Sequence, residues 1–182
     1  MSGFLLFRCL QCKEHLLIAK FVILALLFAC MVYDLRNHQV PMPLTVGGMV
    51  GAGIYAFFNG LWAPVLLMIA LTHVSDFNAR EKRLAFALTL SSFSAIFQPA
   101  AGLICLLILV VWVLWEFGVL GGADVKLIIA AALVLGNPIF LIPILIIGGV
   151  QGIIASLQKK REIPFVVSIF CGTFLFVLYP HF

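Results

Sequence analysis

Hydrophobic residues run along this chain in long unbroken blocks, and charge, proline and glycine mark where each block stops. Eight blocks result, at residues 16–33, 44–58, 61–74, 84–97, 100–117, 125–135, 139–156 and 164–178. None alternates apolar with polar at every second position, so lipid-exposed strands are not expected. Continuous apolar runs of this length read as helices, and the predicted class is all-α. Several blocks fall below the roughly 20 residues that normally span hydrocarbon. Such pieces reach across with their flanks, thin the bilayer, or enter and return. Two arrangements satisfy the pattern. Either about eight helices cross a membrane, or six do, with residues 61–97 forming a non-crossing hairpin or insertion. No soluble domain, internal repeat or low-complexity linker interrupts the series.

Composition turns this pattern into a statement about the solvent. Of 182 residues, 64% are apolar and 10% charged, with a mean hydropathy of +1.23. Soluble domains lie nearer one half and one quarter, and a single core of this length cannot hide so much apolar surface. A soluble enzyme, a disordered tail and a nucleic-acid-binding module are excluded; a polytopic membrane protein in contact with a lipid bilayer remains.

Charge then supplies an orientation. If every block crosses and the first ends in the cytoplasm, Arg36, Arg80, Lys82, Arg83, Lys126, Lys159, Lys160 and Arg161 share the cytoplasmic side, eight of the eleven basic residues. Arg8, Lys13 and Lys20 fall opposite, the distribution that the positive-inside rule favours. Asp34 and Asp124 land on the same cytoplasmic face, and the six-helix version keeps that parity.

Only seven residues are acidic, and in an apolar chain each needs a reason. Asp34 closes the first block beside Arg36. Asp124 follows Gly121-Gly122-Ala123 and opens the sixth block, where it reads singly as a helix N-cap. Two aspartates at helix ends on one face could also meet. Carboxylates that approach at low dielectric share a proton, which suits general acid–base activation of water. Asp76 reads as a solvated loop residue. Glu116, inside an aromatic stretch, reads as a snorkelling side chain or the partner of a lysine. Glu14, Glu81 and Glu162 neighbour basic residues and read as interfacial charges. Cys30, Cys105 and Cys171 read as small hydrophobes. Cys9, Cys12 and His15 have metal-like spacing but no fourth ligand nearby, so no metal is expected. Residues 1–10, with one basic residue and no A-x-A-like site, do not read as a cleaved signal peptide.

Three segments, taken in order, resemble the type IV prepilin peptidases, a family of G-x-G-D-type membrane aspartyl proteases. Asp34-Leu35-Arg36 followed by Val40-Pro41-Met42-Pro43-Leu44-Thr45 is similar to the family's D-x-R…I-P-N-x-L-T segment. Gly121-Gly122-Ala123-Asp124-Val125-Lys126-Leu127 is similar to G-x-G-D-V-K-L. Lys159-Lys160-Arg161-Glu162-Ile163-Pro164-Phe165 resembles the closing basic segment. The short length resembles the branch serving Tad/Flp-type pili.

The resemblance implies an aspartic endopeptidase of the bacterial inner membrane. It would remove basic leaders from prepilin or pseudopilin substrates at the cytoplasmic face, without a cofactor. Asp34 and Asp124 would be the catalytic pair. Gly121, Gly122, Ala123, Lys126 and Pro41 would shape the loop or bind substrate, with Lys126 oriented toward the headgroups. The whole chain, 1–182, would be one peptidase-like domain, with residues 59–97 an insertion relative to the family. Three departures stand out. Ala123 replaces a motif glycine, at a steric cost if that position has positive φ. Met42 stands in place of asparagine. The cytoplasmic domain with two C-x-x-C pairs that accompanies methylation is missing. Two other readings fit the same residues: a transporter or pilus-assembly subunit using Asp34, Glu116 and Asp124 for cations or protons, and a catalytically weakened homologue.

Overall fold

A computed structural model describes the backbone at residues 2–37, 39–74, 79–157 and 164–179, and side chains from residue 16 onward within these ranges, 155 and 156 excepted. Asp76, the basic segment 159–163 and the side chains of Cys9, Cys12, Glu14 and His15 lie outside the described residues. The eight apolar blocks become eight α-helices, and no strand occurs among the described residues. They are α1 (Ser2–Asn37), α2 (Met42–Phe58), α3 (Trp62–Val74), α4 (Arg80–Phe97), α5 (Gly102–Glu116), α6 (Gly122–Leu135), α7 (Leu141–Leu157) and α8 (Phe165–Leu178).

The breaks have local causes. Pro41 precedes α2 and offers its carbonyl to the amides of Leu44 and Thr45, at 3.0 and 3.3 Å. Its own missing N–H costs nothing there, because the first turn has no partner to donate to. Gly136 ends α6 at φ +65 and donates to Ala132 O at 3.0 Å, a left-handed stop that a side chain would strain. Asn137 then caps a short 3-10 turn, Pro138–Phe140, by accepting from the Ile139 amide at 3.0 Å.

The organising element is α6. Residues 127–134 are all buried, so this helix has no face for solvent or lipid along most of its length. A helix apolar on every side is stable only when surrounded, and α2, α5, α1 and α8 surround it, α2 most extensively. Ala52 and Ala56 on α2 and Ala130, Ala131 and Ala132 on α6 are buried. Small residues such as these let apolar helices approach closely.

Segment 59–97 does not stand apart from this core. Leu67 and Leu71 of α3 and Ala87 of α4 belong to the same buried cluster as Leu127 and Ile128. The Gln98 side chain fastens the far end of α4: Oε1 accepts from the Ala63 amide at 3.1 Å, and Nε2 donates to Gly60 O at 2.5 Å.

The expected number of membrane spans needs correction. Among the described residues, two helical segments, Leu16–Asn37 and Pro99–Glu116, are long and apolar enough to cross a membrane, rather than about eight or six. Met42–Phe58, Trp62–Val74, Pro138–Ile154 and Phe165–Leu178 are apolar but shorter. The reason is the punctuation itself. Proline and glycine cut the chain before most helices reach length, and 14 residues rise only about 21 Å against about 30 Å of hydrocarbon.

α7 and α8 run antiparallel in close contact, and Gly172 sits where they are tightest. A methyl on its Cα would lie 2.6 Å from the Ile144 amide nitrogen and 2.7 Å from Ile144 Cα, which are backbone atoms that cannot swing away. Gly172→Ala should therefore destabilise the bundle by about 1–3 kcal/mol. Gly149→Ala, on the same helix pair with no atom within 4 Å of the added methyl, should be neutral. Thermal melting of both variants in one detergent checks the contrast.

Candidate active site

Asp34 lies near the C-terminal end of α1, half-buried, with Leu35, Arg36 and Asn37 exposed after it. A short connection leads to Pro41, itself exposed, and into α2. The start of α2 therefore lies near the end of α1, so that α1 and α2 run in opposite directions. Asp124 arrives from the other side of the sequence. α5 stops at Glu116, and Gly118, at φ +72, turns the chain back. Three amides close that turn: Gly118 to Trp115 O at 2.8 Å, Val119 to Leu114 O at 2.9 Å, and Leu120 to Leu114 O at 3.4 Å. α6 then begins, with Asp124 in its first turn.

The N-cap of α6 is Gly121, not Asp124 as expected from the sequence. Asp124 sits three residues further on and accepts a hydrogen bond from the Gly121 backbone. This is the returning half of a capping box, in which a carboxylate on the third helical residue reaches back to the cap amide. The geometry explains the glycine without appeal to φ. Gly121 has φ −69, open to any residue, but a methyl there would lie 2.8 Å from Asp124 Oδ2. Gly122 is close to Trp115, whose Nε1 would be 3.5 Å from an added methyl.

Ala123 lies within α6, with ordinary helical backbone. The steric cost expected for alanine at a position of positive φ therefore does not arise. Lys126 is half-buried and lines a cavity of about 240 Å³ with Trp112, Trp115 and Gly122.

The two aspartates are brought to one end of the bundle. Burial, and then the nearby Asp34 carboxylate, push the Asp124 carboxyl up from its ordinary 3.8 to about 6, against the Gly121 hydrogen bond that lowers it. Asp124 lies at a helix mouth, outside both segments of spanning length. Desolvation and a like charge both disfavour the ionised form, so the net rise means that together they outweigh the capping bond. Chemically, one carboxyl group can hold a proton near neutrality while its neighbour is ionised.

No known protein family, curated protein or solved structure matches this chain.

A second polar group at this end is built on Glu116, whose partner the sequence did not reveal. Glu116 pairs with an arginine, Arg83 of α4, rather than with a lysine. Arg80 donates to Glu116 O at 3.1 Å, and its guanidinium lies 4.1 Å from the centre of the Phe117 ring. The signal available was an acid inside an aromatic stretch and a basic trio at a helix start. Nothing local joins two positions so far apart in the chain. An apolar groove of about 740 Å³ also runs between α1 and α2, from Pro43 near the aspartate end to Asn59 at the other.

Two substitutions should move the Asp124 midpoint in opposite directions. Asp34→Asn removes a like charge and should lower it from about 6. Gly121→Ala displaces the carboxylate from the cap amide, removing a bond that favours the charged form, and should raise it. Carbonyl-labelled aspartate titrated by NMR in micelles reads both, since the chain holds only three aspartates.

Proposed function

We propose that this chain is a membrane-embedded aspartic endopeptidase of the prepilin-peptidase kind, removing a basic leader from prepilin-like substrates. The observation that carries the reading is the pairing itself. Asp34 and Asp124 approach closely enough for one charge to raise the other's pKa, and each belongs to a segment that resembles the family's motifs. The ordered resemblance supplies the substrate class, and the raised Asp124 supplies a physical basis for the chemistry.

In this mechanism the two carboxyl groups act as a coupled dyad that shares one proton. The protonated member polarises the scissile carbonyl while the ionised member takes a proton from the attacking water. The tetrahedral intermediate then collapses as the proton passes to the leaving amine. The negative dyad also favours a substrate whose leader is basic. Cleavage requires an extended backbone, because a helical amide is sterically closed to attack.

The surroundings support a bilayer as the medium. Outward-facing residues on several helices are large and apolar, among them Phe21 and Phe28 on α1, Phe93 on α4, Leu106 on α5 and Ile146 on α7. Water does not tolerate so large an apolar exterior. Arg36, Arg80, Lys82, Arg83 and Lys126 gather at the aspartate end, which favours a cytoplasmic location for that end in a bacterial inner membrane. The shorter helices then act as a multi-pass bundle that thins the bilayer locally. The apolar groove between α1 and α2 matches the polarity of the helix that follows a prepilin leader.

Co-expression with a candidate prepilin, with the mature N-terminus read by mass spectrometry, tests the reading. Asp34→Asn and Asp124→Asn should each abolish leader removal while the protein still inserts. Normal processing by either variant overturns the proposal, and an ion or proton flux impaired by the same changes would replace it with transport. Ala123→Gly should give no gain in cleavage rate, because the position is already helical. A severalfold increase would show that alanine limits the site.

A further inference from the structure

The polar assembly on the other side of the turn has no part in the dyad chemistry, yet it grips the segment that carries Asp124. Arg83 pairs with the Glu116 carboxylate, whose side chain is only 7% exposed. Arg80 holds the main-chain carbonyl of the same residue and covers the ring of the next, Phe117. The last residue of α5 and the first of the turn are thus held by side chain, backbone and ring, all from one helix.

Little slack separates that grip from the candidate active site. Five residues, 117–121, connect Glu116 to α6, and the turn hydrogen bonds to Leu114 and Trp115 tie 118–120 back onto α5. Gly121 O accepts from the Val125 amide at 3.1 Å, and the Gly121 backbone bonds the Asp124 carboxylate. Every residue from Glu116 to Gly121 is therefore held by the closed turn, the cap or an arginine, and Phe117 also donates to Val113 O at 3.0 Å. A shift of Glu116 must move Asp124.

We propose that Arg80 and Arg83 are positioning residues that hold the end of α5 against α4 and, through the closed turn, set where Asp124 stands relative to Asp34. Segment 59–97 is then part of the apparatus that shapes the site, not an appendage. The catalytic consequence rests on the dyad reading; the geometric one does not. Removing the Arg83 guanidinium leaves a desolvated carboxylate without its counter-charge, and the local structure must open to rehydrate it. Small misplacements of a reacting group cost rate far more than binding.

Hydrogen exchange and processing kinetics of the full-length protein in nanodiscs test this together, with a prepilin-like substrate. In Arg83→Gln, amides at 117–124 should exchange about tenfold faster while those at 127–134 keep their protection, and kcat should fall about 10- to 100-fold with KM little changed. Arg80→Gln, at an exposed position, should show the same pattern more weakly and guards against misfolding of the first variant. The double reversal Arg83→Glu with Glu116→Arg should restore protection at 117–124. Unchanged exchange there in both glutamine variants overturns the inference, as does loosening spread evenly through 127–134, which would mark general stabilisation. If Asp34→Asn still cleaves while Arg83→Gln loosens the turn, the dyad reading fails and the positioning geometry stands. If the aspartate variants are dead while the arginine variants are tight and active, only the positioning role fails.

Discussion

Everything in this bundle follows from enclosing α6. Eight consecutive residues, 127–134, are buried, so neighbouring helices must close around them on every side. That requirement selects small residues where α2 meets α6 and uses α1, α5 and α8 as the remaining walls. An enclosed helix can present polar chemistry only at its ends, where its backbone leaves the apolar interior. The sequence puts its aspartate in the first turn, at that boundary, and a second aspartate meets it from α1.

The boundary also accounts for the protonation behaviour of the site. Deeper in the bundle, a carboxylate would stay neutral and be of no use as a base. In open solvent it would ionise at its ordinary value and be of no use as an acid near neutrality. At the mouth, burial and a neighbouring charge push one way, and a single amide of the helix cap pushes the other. The result lies close to physiological pH, where one proton can be shared between two groups.

Much of this was legible in the chain, for identifiable reasons. Proline, glycine and charge interrupt apolar runs in ways that few other forces override, so helices α2 to α8 start and stop within a few residues of their blocks. Alternation of direction along successive helices made the shared end of Asp34 and Asp124 a matter of parity. Spanning length was not legible from block count, because a short apolar helix packed on its neighbours and a crossing helix have the same composition. The cap of α6 was misassigned to Asp124 because an aspartate that caps and one that reaches back three residues leave the same local pattern; only the position of Gly121 separates them. The expected penalty at Ala123 likewise depended on a helix start three residues later than the real one. The Arg83–Glu116 pair had no periodic or spacing signal, since it joins two helices through tertiary packing alone.

α4 is fastened at both extremities: by Gln98 to the loop and start of α3 at one end, and by Arg80 and Arg83 to α5 at the other. Between them runs an uninterrupted helix of 18 residues, a rod of about 27 Å that turns 100° with every residue. Its length and its phase are therefore locked together. Losing or adding one residue anywhere along α4 would swing one set of anchors by more than a quarter-turn relative to the other, so the two could not both engage. Substitutions along the outward face leave that register intact. For this helix, evolution is free to change letters but not to change the count.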